Sequence, residues 1–213
     1  MLSAAERRRI PGQTIVLLAL TGAYALWSAL AALHLLLHWL VYTQRISLDE
    51  PFDPDWVIYD TIQMLGMLFT MIVFAVNAVW LYRASKHAID VRGAAGKMRL
   101  IRPFWSIAYW ALPIVNVWMP FQVVRQLWNL ATRPGQPVDS AAPGFFWVWW
   151  LSFLTALFLG QAAGRLETAP NWDAVFGEYL GYLVCSWALQ SIAAACFFWI
   201  QLKVSLGLCS ADP

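Results

Sequence analysis

Residues 103–128 read PFWSIAYWALPIVNVWMPFQVVRQLW, and the fold turns on whether this stretch crosses a membrane. It is as apolar as a membrane helix, yet Pro113 and Pro120 interrupt it. Each proline removes an intrahelical hydrogen bond and clashes with the preceding turn, so a lipid-exposed helix here would leave carbonyls unpaired in hydrocarbon. The stretch therefore belongs at an interface or inside protein.

The surrounding chain has the composition of a membrane protein. Of 213 residues, 61% are hydrophobic and 12% charged, against roughly 45–50% and 25% in soluble domains. No charge interrupts the sequence between Arg9 and Arg45, or within 61–82, 140–164 and 179–202. Each run exceeds the about 18 residues that mark a spanning helix. The reading is an all-α membrane protein, one membrane domain over 1–213, with spans at about 14–41, 59–82, 144–164 and 179–202. The first run follows Arg7, Arg8 and Arg9 but is far longer than a cleavable signal core of roughly 7–15 residues, so it reads as a retained helix. Cys185, Cys196 and Cys209 form neither a disulfide framework nor a metal-ligand set.

Basic flanks remain cytoplasmic. With four spans and both termini inside, all of the 14 Lys and Arg residues except Arg45 and Arg165 are cytoplasmic, and those two lie beside an acidic excess that includes Asp49, Glu50, Glu167 and Glu178. A fifth span at 103–124 would move Arg125, Arg133 and Lys203 outside, so four spans fit better. The region 83–139 is then a cytoplasmic loop followed by a proline-broken segment, either re-entrant or interfacial. From Phe121 onward, Phe121, Val124, Leu127, Trp128 and Ala131 form one helical stripe while Gln122, Arg125, Gln126 and Asn129 face away. That pattern predicts an amphipathic helix lying on a membrane or on neighbouring helices, with Pro120 in its first turn. The tryptophans agree: Trp80, Trp105, Trp110, Trp118, Trp128, Trp147, Trp149, Trp150 and Trp199 fall near the cytoplasmic face, and Trp39, Trp56 and Trp172 outside.

The sequence Trp80-Leu81-Tyr82-Arg83-Ala84, followed by Trp110, Pro113, Asn116, Trp118, Pro120, Gln122, Arg125 and Trp128 in fixed order, resembles a bacterial membrane family known only as domain of unknown function 4328. The resemblance covers about the middle quarter of the chain. It implies a bacterial inner-membrane protein and no particular activity. Physically, Asn116 sits where a backbone break needs a partner, either capping the break or serving a ligand.

Polar side chains inside spans join helices or mark function. Gln63, Thr70 and Asn77 recur every seven residues, with Asp60 at the outer end, and the stripe reads as interhelical bonding or the lining of a conduit. Met64, Met67 and Met71 read as core packing. Gln190 and Gln201 share a face and predict bonds to neighbouring helices. His34 and His38, an i, i+4 pair, could hold a metal or haem only with ligands from elsewhere, and no cofactor is expected. Gly160 and Gly164, with Gly177 and Gly181, predict close approach of the last two spans as a hairpin. Arg83, Lys86, Arg99 and Arg102 predict contact with anionic lipid headgroups.

No nucleophile, base and orienter recur together and no phosphate-cradling loop appears, so an enzyme is not expected, nor is nucleic-acid binding. Two readings follow. One is a multi-pass inner-membrane protein that assembles with itself or a membrane partner, as a pore or transport component or as a partner-binding subunit. The other is a haem-, quinone- or lipid-binding membrane protein.

Overall fold

A computed structural model describes residues 4–43, 56–92, 101–112, 115–133 and 135–209; side chains are described over these ranges except at 4–13, 56–60, 62, 91–92, 111, 116, 173 and 209. Among the described residues there are six α-helices and no strand: α1 (Ala4–Tyr42), α2 (Trp56–Arg92), α3 (Pro103–Ala111), α4 (Met119–Thr132), α5 (Phe145–Leu166) and α6 (Trp172–Cys209). A 3-10 turn, Val115–Val117, stands between α3 and α4. Four helices are long and apolar enough to cross a membrane, over Thr14–Tyr42, Gln63–Asp90, Phe145–Leu166 and Ala174–Leu208.

The disputed stretch supplies α3 and α4. At 1.5 Å per residue, the 9 residues of α3 rise about 14 Å and the 14 of α4 about 21 Å, short of a hydrocarbon core about 30 Å thick. The prolines set both boundaries. Leu112, which precedes Pro113, takes extended backbone (φ −94°, ψ 111°) and ends α3, because a following proline disfavours the helical region. Pro103 and Pro120 each occupy a first turn, where the missing donor costs nothing.

The chain divides into two compact units. Unit 1 comprises Met1–Thr21, Ile72–Trp147 and Cys196–Pro213, and unit 2 comprises Gly22–Met71 and Val148–Ala195.

In unit 1 the helix α2 does not stop at Tyr82, where the uncharged run ends, but continues to Arg92. Its continuation alternates exposed Arg83 and Lys86 with buried Ala84, Ser85 and Ala88. A helix is favoured there because it buries one small-residue face while the cations stay outside. α4 is the centre of this unit, with Phe121, Val123, Val124, Leu127, Trp128, Leu130 and Ala131 all buried. Its partners are legible residue by residue. Phe121 and Trp128 meet Phe146 at the start of α5, with ring centroids 6.1 and 5.4 Å apart. Ala131 lies against Gly207 of α6 so closely that a Cβ on Gly207 would sit 2.3 Å from the Ala131 carbonyl oxygen.

In unit 2, Gly66 of α2 accommodates two indoles, since a Cβ there would stand 2.8 Å from Trp187 and 3.2 Å from Trp27 Nε1. Gly177 and Gly181 of α6 pack on Tyr42 and Trp39 of α1, and Trp39 Nε1 donates to the Gly177 carbonyl at 3.1 Å. Gly177 and Gly181 therefore serve the contact with α1, and the predicted close approach of the last two spans is met at Gly160 alone. Gly160 faces Ser186, and Gly164 has nothing within 4 Å of its would-be Cβ. The methionine stripe is likewise corrected. Met64, Met67 and Met71 are 60–66% exposed on the outside of α2 instead of filling a core.

Candidate functional site

The polar side chains of α4 are spent on the segments that flank it. Gln126 bridges two of them: its Oε1 accepts the Ile101 backbone N–H at 3.2 Å, and its Nε2 donates to Asp139 Oδ1 at 2.9 Å. Asn129, with no exposure, donates from Nδ2 to the carbonyls of Val138 (3.0 Å) and Ser140 (2.7 Å). Arg133 Nη1 donates to the Ala141 carbonyl at 2.9 Å, and Arg125 Nη2 lies 3.6 Å from Asp139 Oδ1. The segment that enters α3 and the one that enters α5 are thereby sewn to one helix. The face that sequence periodicity sets opposite the apolar stripe is half buried under loop 135–143, with Gln126 as well as Asn129 enclosed. Gly135 makes this return possible, because its φ of +89° lies in the left-handed region that other residues rarely adopt.

Outside this clamp the segment presents aromatic surface. Phe104, Trp105, Leu112, Val117, Trp118 and Trp147 are exposed. Trp105 stacks on Tyr109 at 5.4 Å, and Trp118 stacks on Phe121 at 5.6 Å and stands 6.1 Å from Trp147. At the far end of α3, Trp110 meets Phe74 of α2 edge-on at 5.6 Å. Ser85, Ala88, Ile101, Val123, Gln126 and Leu127 line one small recess where the end of α2 meets α4 and the start of α3.

A second polar constellation lies within unit 2 and joins all four long helices. Tyr24 Oη of α1 donates to Gln190 Oε1 of α6 and lies 3.1 Å from Thr70 Oγ1 of α2. Gln190 Nε2 donates to Ser186 Oγ at 3.2 Å, and Ser186 donates to the Ala156 carbonyl of α5 at 2.9 Å. Thr70 Oγ1 also donates to the Gly66 carbonyl of its own helix at 2.8 Å. From Tyr24 the bonds run head to tail, Tyr24 to Gln190 to Ser186 to Ala156, an order in which each bond polarises the next. Ser191 adds a bond from α6 to the Ala25 carbonyl of α1 at 2.9 Å.

In unit 1, Gln201 Nε2 donates to Asn77 Oδ1, and Trp80 Nε1 lies 3.3 Å from Ser205 Oγ. Thr70 and Asn77 of the predicted stripe are thus engaged by other helices, and Gln63 has a partner of its own. The Asp60 and Asn116 side chains, Pro113 and Arg99 lie outside the described residues. Of the remaining motif residues, Pro120 and Trp128 are buried, Gln122 and Arg125 half-buried and Trp118 exposed. His34 and His38 stack edge-on at 4.4 Å on α1, and among the described residues no group of three or more His, Cys, Asp or Glu is placed to hold a metal. Sequence reasoning missed Tyr24, Ser186 and Asp139. The only available signal was a polar atom inside or beside an apolar run.

Among protein-family models, that described as Domain of unknown function (DUF4328) matches residues 53–204. No curated protein and no solved structure matches the chain.

Proposed function

The chain belongs to the DUF4328 family, and on that premise we propose that it is a non-enzymatic, multi-pass protein of the bacterial inner membrane that assembles with copies of itself or with a membrane partner. The observation that carries the reading is the outer face of α2. Met64, Met67 and Met71 follow one another along an exposed face of the least buried of the four spans. Methionine is unbranched and polarizable, which suits an adaptable protein–protein surface.

Orientation in this reading follows the charges. The described charged side chains of unit 1 are Arg83, Lys86, Arg102, Arg125, Arg133 and Lys203 against Asp90 and Asp139. That excess supports the cytoplasmic side for unit 1 and, with four spans, for both termini. α4 is the interfacial part of the proline-broken segment, for it packs on Ser85 and Ala88 beyond Tyr82 and on Gly207 beyond Leu202, past the uncharged runs of both helices. α3 is the re-entrant part. Its start is tied to Gln126, whereas Trp110 reaches Phe74, well inside the apolar run of α2.

A conduit is the weaker use of the Gln63, Thr70 and Asn77 stripe, because bonds to Tyr24 and Gln201 make Thr70 and Asn77 connectors between helices. Lipid binding is a second reading, favoured by the exposed rings of Phe104 and Trp105 just past the exposed Arg102.

The test is the mass of the full chain in nanodiscs, paired with oxidative cross-linking of Met67→Cys in a background whose native cysteines are serine. A particle of two or more copies that cross-links at position 67 is expected. A monomer at every concentration, with no cross-link and no co-purifying membrane protein, refutes the assembly reading.

A further inference from the structure

We propose that Trp118 and Trp147 form a two-indole anchor that seats the junction of α3 and α4 in the headgroup layer of the bilayer. The inference deepens the interfacial placement of α4 given above, and it holds whichever side of the membrane unit 1 occupies.

The two rings come from different helices' starts and form one surface. Trp118 stacks on Phe121 at 5.6 Å, Phe121 meets Trp147 at 4.8 Å, and the two indoles stand 6.1 Å apart. Phe121 is 2% exposed and backs the pair, whereas Trp118 and Trp147 keep 48% and 44% of their surface open. Val117, also exposed, extends the patch along the chain entering α4. Packing on a buried ring fixes the indoles without covering them, so their outer faces are left for something beyond the chain.

The length of α5 identifies that occupant. Phe145–Leu166 has 22 residues, a rise of about 33 Å, against a hydrocarbon core about 30 Å thick. A span with so little to spare has its ends at the two membrane boundaries. Trp147 lies in its first turn, and contact with Trp147 carries Trp118 to the same depth. There an indole keeps its ring against acyl chains and its N–H among headgroups and water, the placement tryptophan favours. A protein partner fits less well. With about half of the roughly 150–250 Å² of an aromatic side chain open on each, the two rings offer about 200 Å², against about 800 Å² per partner in a specific interface. The anchored turn, Val115–Val117, hands α3 to α4, so holding it at the boundary limits how far α3 moves along the membrane normal.

The experiment places a spin label at Val117→Cys in the full chain, with native cysteines replaced by serine, in nanodiscs of phosphatidylglycerol and phosphatidylcholine. Power saturation compares its accessibility to oxygen, which partitions into the bilayer, with that to a water-soluble nickel chelate. Labels at Leu151 and Phe158, exposed farther along α5, supply the depth scale. The label at position 117 is expected within roughly 5–10 Å of the headgroup boundary, about 6 Å shallower than the one at 151, which is one turn past Trp147. In Trp118→Gln/Trp147→Gln it should move toward water, and in Trp118→Tyr/Trp147→Tyr it should stay, because tyrosine favours the same layer. A label as open to nickel as one in buffer overturns the proposal, as does one at the depth of 158. A label shielded from both reagents overturns it in favour of a protein partner. An unmoved label in the glutamine pair, with amide exchange in α4 unchanged, overturns it too, and where that pair disturbs α4 the depth in the wild-type background decides. Particle mass reports assembly separately: a boundary-depth label in a monomer keeps the anchor and removes only the assembly reading.

Discussion

Gly207→Ala is the smallest change expected to unseat α4. A Cβ at position 207 would lie 2.3 Å from the Ala131 carbonyl oxygen, 2.8 Å from its carbonyl carbon and 3.0 Å from its Cβ. Ordinary contact begins near 3.4 Å, so the two helices must separate by about 1 Å, and the obstacle is backbone, which cannot rotate away as a side-chain tip does. Overpacking of this kind costs about 1–3 kcal/mol, and backbone against backbone argues for the upper half of that range. Alanine also gains about 0.8–1 kcal/mol over glycine in a helix interior, leaving a net loss of about 1–2 kcal/mol. Because α4 is clamped mainly to its own flanks, the loss should appear as local opening of residues 119–143 instead of global unfolding. Hydrogen exchange read by mass spectrometry on the nanodisc-embedded protein should show amides of α4 exchanging about 5- to 30-fold faster. Gly164→Ala is the internal control. Its Cβ meets nothing within 4 Å, so only the helix-propensity gain remains and the protein should be as stable or slightly more so. Unchanged α4 exchange in Gly207→Ala, or an equal disturbance from Gly164→Ala, would refute the packing argument.

Three further outcomes follow from the polar networks. Asn129→Ala strips donors from the Val138 and Ser140 carbonyls, at a cost of about 1–3 kcal/mol, and should expose loop 135–143 to limited proteolysis while the four spans stay intact. Tyr24→Phe removes the shared hydroxyl between Thr70 and Gln190; intramembrane hydrogen bonds average about 0.6 kcal/mol with a maximum near 1.7, so a loss within that range is expected in a reversible unfolding assay. Combining Tyr24→Phe with Ser186→Ala should give less than the sum of the single losses, by at least about 0.5 kcal/mol, if the bonds act as one chain; strict additivity would show them to be independent.

The four spans and the two proline boundaries were legible because both are local. Uncharged runs mark the spans whatever packs on them, and Pro113 determines the backbone of Leu112 without help from the rest of the fold. Partner identity was not legible. Periodicity grouped Met64, Met67 and Met71 on one face of α2, but a membrane helix is apolar on its lipid side and its packed side alike, so the pattern carried no information about which was which. The glycines carried the same ambiguity: Gly160 meets Ser186 of α6, as the hairpin predicts, but Gly177 and Gly181 mark close approach without naming Tyr42 and Trp39 as what approaches. For α4 the stripe was correct, but what its polar face meets was not legible. Gln126 and Asn129 meet a loop whose carbonyls are invisible to any hydropathy pattern, and only Asp139, Ser140 and the turn glycine Gly135 hinted at it.

Neither compact unit is continuous in the sequence, and this dictates the order in which the protein is completed at the ribosome. Unit 1 gathers three separated stretches, the last beginning at Cys196. While the nascent chain is threaded into the bilayer, Asn77 waits for Gln201, Trp80 for Ser205 and Ala131 for Gly207. The early helices must be tolerated in the lipid with amide and indole groups unmatched, or be shielded by the insertion machinery, until synthesis passes Gly207. A stalled chain lacking that last helix would be a substrate for quality-control proteolysis even though every earlier span had inserted.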